Sequence, residues 1–131
     1  MRSVTRISDR HQIPARVLVA DDHPIVRMGM RLLLSSYSFE ICGEAENGTE
    51  AVEKVRELIP DLVLLDLSMP SLNGFDAAVT IKRIAPSTKI ILFSIHEIPS
   101  TARIVGADAF LQKGSSTEEL LLTIKHVLQL E

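Results

Sequence analysis

A short apolar run that ends in a carboxylate constrains this chain more than any other stretch. Residues 62–65 are apolar without polar alternation, as in a strand that is buried on both faces of a parallel sheet. Asp66 ends the run at the carboxyl end of that predicted strand, where open α/β sheets place their ligands. Because Pro70 cannot donate to a sheet or continue a helix interior, we expect the backbone to turn away and leave Asp66 in a crevice.

Length and composition indicate a single globular domain. The chain has 131 residues, of which 46% are hydrophobic and 24% charged, and no apolar run approaches the ~18 residues of a membrane span. The net charge of −3 gives no electrostatic reason to expect nucleic-acid binding by this chain itself. We divide the chain into an N-terminal arm over residues 1–14, which we expect to be flexible and which lacks the apolar core of a signal peptide, and a domain over residues 15–131.

The single cysteine, Cys42, excludes an internal disulfide. It suits a reducing compartment, so we expect a cytoplasmic location and interpret Cys42 as a small buried residue of a strand.

Further strands and helices alternate along the chain. Strands are predicted at residues 16–20, 39–45, 89–94 and 109–113. The second of these alternates apolar and polar residues, which predicts a half-exposed edge strand, whereas the others are largely apolar. Five strands alternating with five helices predict an α/β fold with one doubly wound, five-stranded parallel sheet and right-handed crossovers.

Capping residues and apolar spacing locate the helices. The first helix begins at Pro24, with an expected buried stripe of Ile25, Met28, Gly29 and Leu32. Asn47 caps the second helix, which Pro60 ends, with an expected stripe of Ala51 or Val52, Val55, Leu58 and Ile59 and an ion pair between Glu50 and Lys54.

The remaining helices follow the same pattern. Asn73 and Gly74 are interpreted as a turn before a third helix marked by Phe75, Ala78, Val79 and Lys82. A short fourth helix is predicted at residues 99–105. Ser116 starts a capping box for the last helix, whose expected core stripe is Leu120, Leu121, Ile124, Val127 and Leu128.

Polar residues follow the predicted strands at one edge of the sheet. Asp21 and Asp22 follow the first strand, Asp66 and Ser94 end the third and fourth, and Lys113 ends the fifth. Because the carboxyl ends of these strands form one rim, we expect the five side chains to meet in a crevice. Two carboxylates ~4 Å apart repel by on the order of 4 kcal/mol at an effective dielectric of 20.

That repulsion predicts a bound cation. Carboxylate, carbonyl and water oxygens suit Mg2+ or Mn2+ better than zinc, whose Cys and His ligands we do not expect at this site. With a metal bound, Asp66 could act as a nucleophile toward phosphorus. Lys113 would stabilise the transferring phosphoryl oxygens, and Ser94 would donate a hydrogen bond to the product.

These residues resemble the receiver domain of bacterial two-component response regulators over about residues 15–131. The resemblance rests on Asp21-Asp22, Asp66 followed by Met69-Pro70, Ser94, Gly106-Ala107 and Lys113, in the family's order. The stretches at residues 21–27 and 106–113 are most similar to the branch that carries a C-terminal LuxR-type helix-turn-helix. The resemblance implies a flavodoxin-like sheet with strand order 2-1-3-4-5.

The resemblance also implies roles for individual residues. Asp66 would accept a phosphoryl group from a histidine kinase or phosphotransfer protein. Mg2+, or Mn2+ as a substitute, would be held by Asp21, Asp22, Asp66 and the backbone carbonyl of Ser68. Lys113 would contact the phosphoryl group, while Ser94 and Phe110 would form a switch.

The implied protein is a cytoplasmic signalling domain rather than an enzyme, with only self-phosphotransfer and autodephosphorylation. The face built from the fourth helix, fifth strand and fifth helix would control an output such as transcription, with homodimerisation as one means and Leu122 and Leu130 as candidate contact residues. DNA would be bound only through a separate output domain.

Some positions depart from the family pattern and keep alternatives open. Phe110 stands where many relatives have Tyr, Ile95 is bulky where a small residue is usual, Gly114 replaces a frequent acidic residue, and the segment between Ser94 and Lys113 is short. Ile95 and the short segment motivate the alternative of a receiver-like interaction module that signals without phosphorylation. His96 is expected near the crevice mouth, where its protonation would alter dephosphorylation of Asp66.

Two other classes fit the residues poorly. A haloacid-dehalogenase-like phosphatase also uses an Asp nucleophile, but it requires a second Asp at the position of Ser68. A flavodoxin-like FMN module needs a phosphate-binding loop after the first strand, where Asp21 and Asp22 would repel the phosphate.

Overall fold

The computed structural model of the chain describes residues 13–95 and 106–130. The strands are β1 (Arg16–Ala20), β2 (Glu40–Ala45), β3 (Leu62–Asp66), β4 (Lys89–Ser94) and β5 (Ala109–Gln112), and the helices are α1 (Pro24–Ser36), α2 (Gly48–Leu58), α3 (Gly74–Ile84) and α4 (Thr117–Leu128). The helix predicted at residues 99–105, His96 and most of the N-terminal arm lie outside the described residues.

The five strands form one parallel sheet in the order β2-β1-β3-β4-β5. This order confirms the predicted fold, with β2 at one edge and β3 in the centre. Every residue of β3 is buried, as a strand covered on both faces requires. The register pairs Ala20 with Leu65 and Asp66 with Phe93, so the carboxyl ends of the central strands lie side by side.

The sheet separates two apolar cores. The core that includes Leu18, Val63 and Leu65 packs against α2 and α3, whereas the core that includes Val19 and Leu64 packs against α1 and α4. Successive strand residues therefore point to opposite cores, as the two-residue period of a strand dictates. None of the helices among residues 13–95 and 106–130 has the length and apolarity of a membrane span.

Three helices begin at a side chain that accepts a backbone hydrogen bond. Asn47 accepts from the N–H of Glu50, Asn73 from Asp76 and Ser116 from Glu119. The caps at Asn47 and Ser116 agree with the sequence predictions. The prediction of a turn at Asn73 and Gly74 was wrong, because Asn73 is the N-cap of α3 and Gly74 its first residue.

The predicted buried stripe of α1 was wrong. Ile25 and Leu32 are 73% and 64% exposed and Met28 is also exposed, whereas Leu34 is fully buried. Met30 and Leu33 pack beside Leu34 on the same core. Apolar residues occupy two faces of this helix at helical spacing, so the periodicity alone could not decide which face meets the sheet.

Smaller differences concern single residues. Ile59 is exposed rather than buried, and it is the C-cap of α2 in the left-handed region at φ 46°. Glu50 accepts a hydrogen bond from the Glu46 N–H rather than pairing with Lys54. The stripe of α4 is as predicted, since Leu120, Leu121, Ile124 and Val127 are buried and Leu128 packs against them.

Candidate functional site

The carboxyl rim of the sheet brings one lysine against two carboxylates from different strands. Lys113 Nζ lies 2.6 Å from Asp21 Oδ2 and 3.4 Å from Asp66 Oδ2. Asp21 follows β1 directly, Asp66 is the last residue of β3, and Lys113 follows β5. Strand β5 ends one residue earlier than predicted, but the Lys113 N–H still donates to the Ser94 carbonyl at 2.7 Å, which holds the lysine at the rim.

Asp66 is shielded from solvent, and only one of its two carboxylate oxygens accepts a hydrogen bond from the described residues. Its side chain is buried; Oδ1 accepts from the Ser68 N–H at 3.2 Å, whereas Oδ2 has no hydrogen-bond partner in the described part of the chain. Burial raises the pKa of Asp66, the negative charge of Asp21 raises it further, and the Ser68 N–H and Lys113 act in the opposite direction.

Asp21 is held from several directions. Its Oδ1 accepts the backbone N–H of His23 at 2.9 Å, and its Oδ2 contacts Lys113. The guanidinium of Arg27 donates to the Asp21 backbone carbonyl at 2.6 Å and pairs with Glu44 at 3.2 Å. Helix α1 and strand β2 therefore fix the loop that carries the acidic pair.

Lys113 remains a cation in this setting. Burial alone would lower its pKa, but the hydrogen bond to Asp21 and the negative charges of Asp66 and Asp21 outweigh burial, so that its pKa is raised. One ammonium group thus partly compensates two buried carboxylates, while the neighbouring Asp22 contributes another negative charge.

The donor atoms of the site fit a divalent cation. Asp21, Asp22, His23 and Asp66 each offer one ligand atom, and these atoms all lie within 4.8 Å of one another. Asp22 Oδ1 and Asp66 Oδ2 are shielded from solvent without a hydrogen-bond partner among the described residues. Carboxylate oxygens that accept no hydrogen bond are available to coordinate a hard cation such as Mg2+ or Mn2+. The backbone carbonyl of Ser68 stays a predicted ligand.

A histidine stands beside these oxygens, contrary to our expectation that no such ligand lies at the site. His23 Nδ1 is 3.0 Å from Asp21 Oδ1 and 3.1 Å from Asp22 Oδ1. Sequence reasoning missed His23 because only the conformation of the loop after β1 decides where its ring points. The signal that could have found it is its position directly after the acidic pair.

The predicted switch residues lie on β4 and β5, and β4 runs between the strands that lead to Asp66 and Lys113. Ser94 ends β4, is buried and pairs in register with Gln112 of β5. Phe110 is partly buried on β5 and packs against the core under α3. Ile95, the bulky residue that follows Ser94, is 65% exposed. The roles predicted for Ser94 and Phe110 stay predictions.

The start of α3 packs closely against the backbone at the end of β3, a contact that sequence reasoning missed. A Cβ atom on Gly74 would lie 2.4 Å from the Asp66 carbonyl oxygen and 2.7 Å from Leu67 Cα, closer than side-chain atoms come to backbone. The start of α3 therefore approaches the end of β3 only because residue 74 has no side chain.

Comparison with known proteins identifies the family. The family model of the response regulator receiver domain matches residues 17–125. The chain therefore belongs to the response regulator receiver domain family, and the resemblance drawn from its motifs is confirmed. It is a receiver domain of the kind found in two-component response regulators.

Individual relatives show how similar the chain is to known response regulators and how much of them it covers. The chain is 42% identical over 115 residues to the transcriptional regulatory protein PdtaR of Mycobacterium tuberculosis, covering 86% of this chain and 56% of PdtaR. Curated relatives of this kind are thus matched over about half of their length.

Two solved structures share the fold closely. A LuxR-family two-component response regulator from Aurantimonas sp. SI85-9A1 has a TM-score of 0.83 at 32% identity, covering 89% of this chain and 86% of that one. The CheX-CheY-BeF3-Mg2+ complex from Borrelia burgdorferi also has a TM-score of 0.83, at 27% identity, covering 88% of this chain and 90% of that one.

Proposed function

We propose that this chain is a phosphoacceptor receiver in which Asp66 takes a phosphoryl group from a histidine kinase or phosphotransfer protein in a Mg2+-dependent reaction. The observation that carries the proposal is the contact of Lys113 with two buried carboxylates, Asp21 and Asp66. The Asp66 oxygen at this contact has no hydrogen-bond partner in the described part of the chain, so its lone pairs are available for bonding.

The chemistry proposed for Asp66 is nucleophilic. A carboxylate oxygen attacks the phosphorus of the donor, the bond from phosphorus to the donor's imidazole nitrogen breaks, and the bonding electrons leave with the imidazole, which takes up a proton from solvent. The product is an aspartyl phosphate, a mixed anhydride of the kind that carboxylates form in other proteins.

Charge compensation makes such an attack feasible. When bound, Mg2+ supplies positive charge that offsets the carboxylates and stabilises negative charge on the transferring phosphoryl oxygens. Asp21, Asp22, Asp66 and the Ser68 carbonyl would hold it. The Lys113 ammonium, which lies against Asp21 and Asp66, is the protein's own cation for binding a phosphoryl oxygen.

The proposed output is a change of surface rather than a turnover reaction, and we class the chain as a cytoplasmic signalling domain and not as an enzyme. Ser94 would move toward the phosphoryl group and Phe110 would enter the space it leaves. A homodimer or another partner would read the altered face, and DNA would be reached only through a separate output domain. PdtaR, named a transcriptional regulatory protein, supports transcription as that output.

Intact-mass spectrometry after incubation with acetyl phosphate and Mg2+ tests the proposal. We expect the wild-type chain to gain one phosphoryl group and Asp66→Asn to gain none. Asp76→Asn, which changes an exposed carboxylate at the start of α3, is the matched control and should be phosphorylated like wild type. Phosphoryl gain by Asp66→Asn, or none by wild type, would contradict the proposal.

The alternative is a receiver-like module that signals by contact without phosphorylation. Its support is Ile95, a bulky residue directly after Ser94 at the rim. Binding of beryllofluoride with Mg2+ to wild type but not to Asp66→Asn would exclude this alternative.

A further inference from the structure

We propose that His23 makes the carboxylate site a binding site for transition-metal ions such as Mn2+, Co2+ and Ni2+, with Nδ1 of its ring as a ligand beside Asp21 and Asp22. The inference rests on the proposed function, because it assigns a further ligand to the same cation site.

The spacing of three atoms carries the inference. His23 Nδ1 lies 3.0 Å from Asp21 Oδ1 and 3.1 Å from Asp22 Oδ1. Adjacent ligands of an octahedral ion, with bonds of ~2.1 Å at right angles, stand ~3.0 Å apart. The contact between His23 Nδ1 and Asp21 Oδ1 is also a hydrogen bond, so an ion bound here would take the place of the proton between them, which leaves to solvent. The nitrogen and the two oxygens are separated as neighbouring ligands of one ion would be.

Asp66 provides an independent indication that the cluster faces a ligand. It is 97% buried, given its 3% exposure, and its Oδ2 lacks a hydrogen-bond partner among the described residues. One oxygen of Asp66 lies within 4.8 Å of the ligand atoms of His23, Asp21 and Asp22. Lys113 Nζ lies 3.4 Å from this oxygen, which is longer than a good hydrogen bond, so the buried negative charge of Asp66 is only partly compensated.

Lys113 does not fill this role for the whole cluster. Its ammonium contacts Asp21 Oδ2 at 2.6 Å and Asp66 Oδ2 at 3.4 Å, whereas His23 meets the other oxygen of Asp21, Oδ1. The two oxygens of Asp21 therefore serve different partners. An ion bound through Oδ1 would leave the contact between Lys113 and Oδ2 in place.

The nitrogen ligand determines which ions bind more tightly. Mg2+ prefers oxygen ligands and retains several waters, whereas imidazole suits transition metals, for which affinity generally rises from Mn2+ through Co2+ to Ni2+. The His23 backbone is fixed by its N–H bond to Asp21, while its side chain is 64% exposed. The ring is therefore positioned at the site and still reachable from solvent.

Pulsed electron paramagnetic resonance of the Mn2+-loaded full chain tests the ligand directly. We expect nitrogen modulation from a bound imidazole in wild type and its loss in His23→Gln. His126→Gln, which changes an exposed histidine on α4, is the matched control and should keep the signal. In calorimetric titrations, Ni2+ affinity should fall about tenfold in His23→Gln, with a much smaller change for Mg2+.

The same samples separate failure of this inference from failure of the proposed function. Nitrogen modulation that persists in His23→Gln, or an Ni2+ affinity equal to that of wild type, would overturn the assignment of His23 while leaving Mg2+ binding intact. Absence of Mg2+ binding to wild type would instead overturn the phosphoacceptor proposal together with the inference built on it.

Discussion

Gly74 lies so close to Asp66 that a Cβ atom on the glycine would be 2.4 Å from the aspartate's carbonyl oxygen. We expect Gly74→Ala to lower the free energy of unfolding by about 1–3 kcal/mol, because the start of α3 must move away from the end of β3. Gly29→Ala is the control, since its Cβ would meet no atom within 4 Å. Alanine in a helix interior is more stable than glycine by roughly 0.5–1 kcal/mol, so this variant should gain stability. Urea unfolding of both variants measures the difference, and equal effects would contradict this account.

Removing Asp22 should affect the apo and metal-bound forms in opposite directions. Asp22→Ala removes one negative charge from the cluster that includes Asp21 and Asp66, so apo stability should rise by about 0.5–1 kcal/mol as carboxylate repulsion falls. Stabilisation by Mg2+ should decrease because a ligand is lost. Thermal melts with and without Mg2+ test both parts, and a Mg2+-dependent shift equal to that of wild type would show that Asp22 is not a ligand.

The pH dependence of apo stability should reveal the buried charge of Asp66. Its pKa is raised mainly by burial, so the carboxyl group favours folding below its unfolded pKa of ~3.9 and loses this contribution as pH rises through its folded pKa. Asp66→Asn cannot ionise. Without metal, the stability of Asp66→Asn relative to wild type should therefore increase with pH across that window, and parallel profiles in urea unfolding would argue against a raised pKa.

Lys113→Met should destabilise the apo protein by about 2–4 kcal/mol, because buried carboxylates lose their cation. The raised pKa of Lys113 means that its contribution is present below its unfolded pKa of ~10.4 and is lost as pH rises through its folded pKa. Adding Asp21→Asn to the variant should restore part of the stability. A double-mutant cycle measures this coupling, and purely additive effects would show that the 2.6 Å contact contributes nothing.

Phosphoryl-analogue binding should shift the switch only in part. A full change from about 1:99 to 99:1 needs ~5.5 kcal/mol, more than the ~1.5–3 kcal/mol of one hydrogen bond from Ser94 to a charged group. Phe110 also has no hydroxyl to anchor either rotamer. Amide exchange with beryllofluoride and Mg2+ should change between Ser94 and Lys113, and changes mainly in α1 and α2 would rule this switch out.

Strand positions could be predicted from sequence where burial on two faces leaves a continuous apolar run. The run in β3 and its terminal Asp66 are of this kind, and the meeting of Asp21, Asp66 and Lys113 follows from parallel strands that end at one rim. The buried face of α1 could not be predicted, because Ile25 and Leu34 belong to competing apolar stripes and only packing chooses between them.

Contacts that depend on loop conformation could not be predicted from the sequence pattern either. The position of the His23 ring depends on the backbone after β1, and no periodicity encodes it. The contact of Gly74 with Asp66 is between two backbone segments, so the pattern of apolar and polar side chains does not predict it. Its one sign in the sequence is the glycine itself.

The lysine and the two carboxylates that it contacts come from positions 21, 66 and 113 and follow or end three different strands. No short segment of the chain therefore contains all three residues, and local structure in an unfolded chain cannot assemble the complete site. If Mg2+ binds here as proposed, it would bind the assembled sheet more tightly than the unfolded chain and draw the chain toward the native state by mass action. The concentration of free cation would then be one of the variables that set how much of this protein is folded.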